Sequence, residues 1–253
     1  MILEAGKKIY FASDFHLGAP SHEKSRERED KIVRWLNSIQ DSAQEIYLVG
    51  DLFDFWFEHK FTIPKGFIRL QGKIAELTDA GIPVHVFTGN HDMWMFDYLP
   101  KEIGIQLYRE PIVREYNSKK FFIGHGDGLG PGDKGYKFLK KVFANKFCQW
   151  CFARLHPNFS FWLANTSSKK SRLHTSVDDE KYLGDDKEWL AIFCRETLEK
   201  EHFDYFVFGH RHYPIDIIVG ENSKYINLGE WMNYHTYAEF DGEKLELKKF
   251  ESL

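Results

Sequence analysis

Cysteine is scarce: Cys148, Cys151 and Cys194 are the only three in 253 residues. An odd count gives no disulfide framework. Cys148 and Cys151 form a CxxC, but within an apolar segment of helical pattern, where packing is expected before redox or metal chemistry. No uncharged apolar run nears the roughly 18 residues that a membrane-spanning helix needs. The opening MILEAGKKIYFASDFH has no basic region ahead of a long apolar stretch, so no secretory signal is read and a cytoplasmic chain is expected. Net charge is only −4, which removes the global electrostatic footprint of a nucleic-acid binder, and no nucleic-acid partner is expected. Repeats and low-complexity segments are also missing. What the chain does have is rings, 23 Phe, 12 Tyr and 7 Trp. They imply either a ring-rich core or apolar surface for a lipid or a partner. The length suits a single domain over 1–253 with an embedded subdomain.

The chain alternates strand, polar loop and helix, which makes the fold α/β. Strands are read at KIYFAS (8–13), EIYLV (45–49), PVHVFT (83–88) and DYFVF (204–208). Another pair is read within 111–123, around a turn at Asn117 and Ser118. Ile32, Val33, Leu36 and Ile39 recur at helical spacing. A second helix is expected over 64–80, with Pro64 near its start and Gly81 past its end. A further helix is expected over about 187–200, and three or four antiparallel strands after 215. Residues 133–165 differ in character: basic, aromatic and patterned as two helices with a break at Pro157.

Five strands end in polar clusters: SDFH with Asp14 and His16, GDLFD with Asp51 and Asp54, GNHD with Asn90, His91 and Asp92, GHGD with His125 and Asp127, and FGHRH with His210 and His212. Sites in α/β proteins form where loops from the carboxyl ends of strands converge. Carboxylate, imidazole and amide oxygen suit borderline divalent metals such as Mn, Fe or Zn. Singly, each residue has a bland reading as a turn, cap or core residue. Five strands that all present metal-competent groups do not. Arg211, between two histidines, is expected to face solvent.

Together DFH, GDLFD, GNHD, GHGD and GHRH resemble the calcineurin-like metallophosphoesterase family over about residues 8 to 233. The resemblance implies a four-layer α/β/β/α sandwich and two divalent cations, typically Mn(II), that activate water for attack on phosphorus. Carried over by position, one ion falls to Asp14, His16, Asp51 and His212, and the other to Asp51, Asn90, His125 and His210, with Asp51 shared. Asn90, His91 and His210 would also meet the phosphoryl group. His91 would assist the leaving oxygen and Asp92 would orient His91. Asp54 and Asp127 would support these groups or serve structure.

The segment 133–172 sets basic residues among aromatics, as a helical lid insertion that holds acyl chains inside and meets an anionic membrane outside would. A plain helical hairpin with solvated lysines is the alternative. HGDGLGPGDKGYKFLKK, NTSSKKSR and FVFGHRHYP resemble the branch of this family that cleaves UDP-2,3-diacylglucosamine to UMP and 2,3-diacylglucosamine 1-phosphate in the lipid A pathway. That resemblance implies peripheral association with the cytoplasmic face of the inner membrane. It also makes Asp133, Tyr136, Asn165, Ser168, Lys169, Lys170 and Arg172 candidate contacts to nucleotide, sugar or phosphate. One motif departs: the best-known form of that branch has GNRD where this chain has GNHD. A phosphoesterase for another nucleotide-linked or lipid-linked substrate stays open beside the first reading, as does a non-catalytic metallated scaffold.

Overall fold

β1 (Lys8–Ala12) sends Tyr10 and Ala12 to one face and Ile9 and Phe11 to the other, and all four are buried. A strand buried on both sides lies between layers. The computed structural model describes residues 1–131, 134–164, 166, 184 and 187–251, and two sheets account for that pattern. The first runs β11 (Leu245–Lys249), β10 (Thr236–Phe240), β1, β2 (Ala43–Val49), β3 (Val84–Phe87) and β4 (Gln106–Tyr108). The second runs β5 (Ile112–Tyr116), β6 (Lys119–Ile123), β7 (Tyr205–Phe208), β9 (Ser223–Leu228) and β8 (Pro214–Gly220).

Between the sheets Phe11, Tyr47, Phe121, Val207 and Phe240 form an apolar layer. Outside the first sheet, α1 (His22–Ile39) and α2 (Ile68–Asp79) bury Ile32, Trp35, Leu36, Leu70 and Ile74 against Ala12, Ile46 and Leu48. Outside the second, α7 (Trp189–Leu198) buries Leu190, Ala191 and Cys194 against Phe206, Phe208 and Tyr225. The order is helix, sheet, sheet, helix, as the family resemblance implied. β1, β2 and β3 are mutually parallel, and so are β6, β7 and β9. Their carboxyl ends meet at one edge of the sandwich, where the His125 ring of the second sheet bonds the Val49 carbonyl of the first.

Several sequence expectations need correction. α2 starts at Ile68, not Pro64, because Gly66 and Phe67 both take positive φ, 109° and 59°. With no side-chain cap of its own, α2 has the Arg69 and Leu70 amides donating to Glu29 of α1, at 2.9 and 3.0 Å. The short α3 (Tyr98–Ile103) and β4 are too brief to carry a period. Four strands do follow residue 213, but they divide between the sheets, and β9 runs parallel to β7. The turn at Asn117 and Ser118 is present, with φ of 47° and 63°. Among its described residues the basic aromatic segment holds three helical pieces, α4 (Lys134–Ala144), α5 (Lys146–Phe152) and α6 (157–164), with Pro157 as the first residue of the last. Cys148 is half-buried and Cys151 exposed on α5, which buries no residue, so core packing does not account for the CxxC. Among the described residues no helix is long and apolar enough to cross a membrane.

Replacing Glu29 with Ala strips the cap from α2 and is expected to cost about 1–2 kcal/mol. Urea unfolding of the two proteins checks this, and an unchanged midpoint would exclude the role.

Candidate metal centre

Where the parallel strands end, their backbones stay tied for a few more residues. Asp14 N donates to Gly50 O at 3.0 Å, His16 N to Asp51 O at 2.9 Å and Gly209 N to His125 O at 3.0 Å. Within these ties Asp14, His16, Asp51, His210 and His212 all take the left-handed conformation, with φ of 55°, 44°, 53°, 68° and 55°. Non-glycine residues avoid that region, and each costs on the order of 1 kcal/mol or more. Five of them in one edge of one fold mark the place where packing has been overridden to aim side chains.

They aim at each other. His16 Nε2 lies 3.0 Å from His212 Nε2 and 3.6 Å from Asp14 Oδ1, while His212 Nε2 lies 3.3 Å from Asp14 Oδ1. With Asp51 these groups bring four potential ligand atoms within 4.8 Å of one another. Beside them, Asn90 Oδ1 lies 2.9 Å from His210 Nδ1 and 3.3 Å from His125 Nε2. Asp51 Oδ2 joins the two groups, 3.8 Å from His16 Nε2 and 3.4 Å from His125 Nε2. All seven residues named by the motif resemblance are thus brought together at one edge of the sandwich.

The donor chemistry fits a pair of divalent cations. Asp14 Oδ1 and Asp51 Oδ2 are buried oxygens with no hydrogen-bond partner in the protein. Their companion oxygens are engaged, Asp14 Oδ2 by the His210 amide at 3.0 Å and Asp51 Oδ1 by the His91 amide at 2.8 Å. Both oxygens are buried, so a cation between them and the imidazoles would offset the cost of their desolvation. His125 donates from Nδ1 to Val49 O at 2.8 Å, which leaves Nε2 to face the cluster. Burial disfavours its charged form, yet the Asp51 carboxylate pushes the imidazole up to about 10. Burial pulls His16 and His210 down to about 4, the form that ligates. Two glycines admit the approach: a Cβ on Gly89 would run into the Asp51 carboxylate, and one on Gly209 would come within 2.5 Å of Asp14 Oδ2.

Other sequence candidates fall into place or do not. The His91 ring stands edge-on to His16, with centroids 4.8 Å apart, and its Nδ1 donates to the Asp54 carbonyl at 3.1 Å. Asp92 does not orient it. That carboxylate is fully buried and accepts from the amides of Gly89 at 2.8 Å, Leu52 at 2.7 Å and Phe53 at 3.3 Å, clamping the β2 and β3 loops together. Asp54 is the residue behind both His91 and His16. Tyr136 on α4 donates to Asp127 at 2.6 Å, and its ring lies 6.2 Å from that of His210. Asp133, Asn165, Ser168, Lys169, Lys170 and Arg172 lie outside the described residues.

Arg211 does not face solvent. It is 1% exposed and bonded to Glu188. Sequence reading also missed Arg28, whose guanidinium donates to the carbonyls of His16 at 2.7 Å and Ala19 at 2.5 Å. It sits in the run SREREDK, which looks like a solvated charged face, and only the buried stripe of α1 distinguishes it. Lys140, which pairs with Asp127 at 2.7 Å, was read simply as one lysine among several.

A two-sheet α/β sandwich with a buried carboxylate–imidazole cluster at its strand ends defines a metallohydrolase of the phosphoesterase class. The chain belongs to the calcineurin-like phosphoesterase family, whose model matches residues 7–214. A UDP-2,3-diacylglucosamine hydrolase of Porphyromonas gingivalis is 36% identical over 97% of this chain and 98% of its own length. Another protein of that name, from Aeromonas hydrophila, is 26% identical over 87% of this chain and 89% of its own length. Among solved structures, Yfce, a phosphoesterase from E. coli, matches with a TM-score of 0.48 at 14% identity, over 96% of this chain and 92% of that one.

Asp51→Asn removes the shared charge and is expected to abolish tight binding of both ions, read as metal per chain after dialysis. Gly89→Ala, which displaces the same carboxylate, should do likewise. Retention of two tightly bound ions by Asp51→Asn would refute a shared ligand.

Proposed function

We propose that the chain hydrolyses the pyrophosphate bond of UDP-2,3-diacylglucosamine to UMP and 2,3-diacylglucosamine 1-phosphate, in lipid A biosynthesis. The observation that carries this reading is the end-to-end similarity to the Porphyromonas gingivalis enzyme, 36% identical with 97% and 98% of the two chains covered. The two cations are assigned as Mn(II), one on Asp14, His16, Asp51 and His212, the other on Asp51, Asn90, His125 and His210. Bound there, such a pair supplies Lewis acidity toward phosphoryl oxygens and an acidified water. The protein's own part is orientation and proton handling. Asp51 holds the two groups together, and the Asp54 carbonyl fixes the tautomer of His91 so that its Nε2 is turned toward the reacting oxygens. Asn90, His91 and His210 are assigned to meet the transferred phosphoryl group. Tyr136, held by Asp127, is assigned to the nucleotide-sugar part of the substrate; Asp133, Asn165, Ser168, Lys169, Lys170 and Arg172 are proposed as further contacts on the family resemblance alone.

The segment 133–172 acts in this reading as a helical lid within one domain spanning 1–253. Support comes from its two-sided character. Phe152 packs on Phe57 and Trp94 at ring distances of 4.8 and 4.7 Å, and Phe161 on Phe55 at 5.6 Å. The other side leaves Phe138, Phe147, Trp150, Phe159 and Trp162 exposed by 49–70%. Lysines and Arg154, stacked over Trp150 at 4.5 Å, accompany the rings. Exposed rings beside cationic groups suit the anionic cytoplasmic face of the inner membrane, with acyl chains drawn along the inner side.

With added Mn(II), UDP-2,3-diacylglucosamine should exceed UDP-sugars without acyl chains by about 100-fold or more in kcat/KM, since each buried CH₂ is worth about 0.8 kcal/mol. Equal turnover of the unacylated compounds would move the assignment to another nucleotide diphosphate. Trp150→Ser combined with Trp162→Ser is expected to weaken binding to anionic vesicles about 10-fold. The same pair should leave cleavage of a small phosphodiester unchanged, and undiminished vesicle binding would count against the membrane face.

A further inference from the structure

Arg211 stands between His210 and His212, which belong to different halves of the metal cluster. Its side chain is buried and meets the start of α7. There Nε lies 3.1 Å from each carboxylate oxygen of Glu188, and the guanidinium stacks over the Trp189 ring at 4.2 Å. Arg211 and Glu188 are both 1% exposed. Trp189 in turn meets the His210 ring edge-on at 6.4 Å. Glu188 and Trp189 open α7.

Desolvating two charges is expensive, and a well-packed apolar pair is often at least as stabilising. What an apolar pair lacks is direction. A guanidinium gripped by a carboxylate and stacked on an indole has a defined plane and a defined depth. The Arg211 backbone transmits both to its neighbours, which hold positive φ on either side, 68° and 55°. From that posture the His210 amide reaches Asp14 and its ring reaches Asn90, while His212 reaches Asp14 and His16.

We infer that Arg211 is a positioning residue for both cations: held by Glu188 and Trp189, it sets the backbone that directs one imidazole to each half of the site. The inference rests on the two-metal reading of that site. It makes the start of α7 part of the apparatus that aims the ligands.

The test is Mn(II) binding by titration calorimetry on metal-free protein, well below its melting temperature, together with the electron paramagnetic resonance signature of a coupled manganese pair. Three variants are compared with the wild type: Arg211→Lys, Glu188→Gln, and the double variant Arg211→Met/Glu188→Leu, which removes both charges of the pair together. The control is Leu77→Ala, a cavity variant in the outer helical layer that lowers stability without touching the site. Each clamp variant should bind Mn(II) about 10–100-fold more weakly, the range for groups that orient metal ligands, and should lose the coupled-pair signal. Leu77→Ala should keep both. If the single variants do not fold, the double variant decides. Wild-type affinity with an intact coupled signal in the double variant would overturn the clamp and leave the two-metal reading standing. A wild-type protein that binds no second ion would overturn the reading itself, and the clamp with it.

Discussion

One carboxylate oxygen, Oδ2 of Asp51, lies within 4 Å of imidazole nitrogens from both halves of the site, His16 and His125. An unpaired charge in that position would cost several kcal/mol, and much of the nearby architecture serves to hold it there. The residue stands at the end of a strand buried on both faces. Its backbone is left-handed, its other oxygen accepts the His91 amide, and Gly89 is bare so that the carboxylate fits. The fold is stable enough in three apolar layers to tolerate a strained, desolvated edge. Cations then complete a charge balance that the protein leaves open.

The sandwich supplies convergence that a single sheet would not. Asp14, His16, Asp51 and Asn90 come from one sheet; His125, His210 and His212 come from the other. The apolar layer of Phe11, Tyr47, Phe121 and Val207 sets the spacing between the sheets. A change of thickness there would move the halves of the site apart, so core packing and ligand geometry are one problem.

The clustered residues were legible from sequence because each follows an apolar run and sits beside a glycine or another polar residue, a pattern that survives without coordinates. The α/β class was legible too, because strand, polar loop and helix patterns alternate along the chain; the layer order came only with the family resemblance. What stayed hidden has a common cause. Asp92, Arg211 and Arg28 each satisfy groups distant in sequence, and nothing local distinguishes a buried, bonded charge from a solvated one. Asp92 looked like the partner of its neighbour His91 but clamps Leu52 and Phe53. The start of α2 was misplaced for the same reason: its cap, Glu29, is some forty residues away.

The same hidden bonds tie the site to the segment that follows it. Asp127, two residues past His125, holds Tyr136 and Lys140 of α4. Arg211, flanked by ligands, holds Glu188 ahead of α7. The chain between these two anchors carries the exposed rings. Each anchor pairs a buried carboxylate with a cation across the junction, and one member of each pair, Asp127 or Arg211, lies within two residues of a histidine of the cluster. Displacement of α4 or of the start of α7 would therefore pull on His125 or on His210 and His212. Two rigid charge pairs at that junction make the position of those helices and the aim of the ligands mutually dependent.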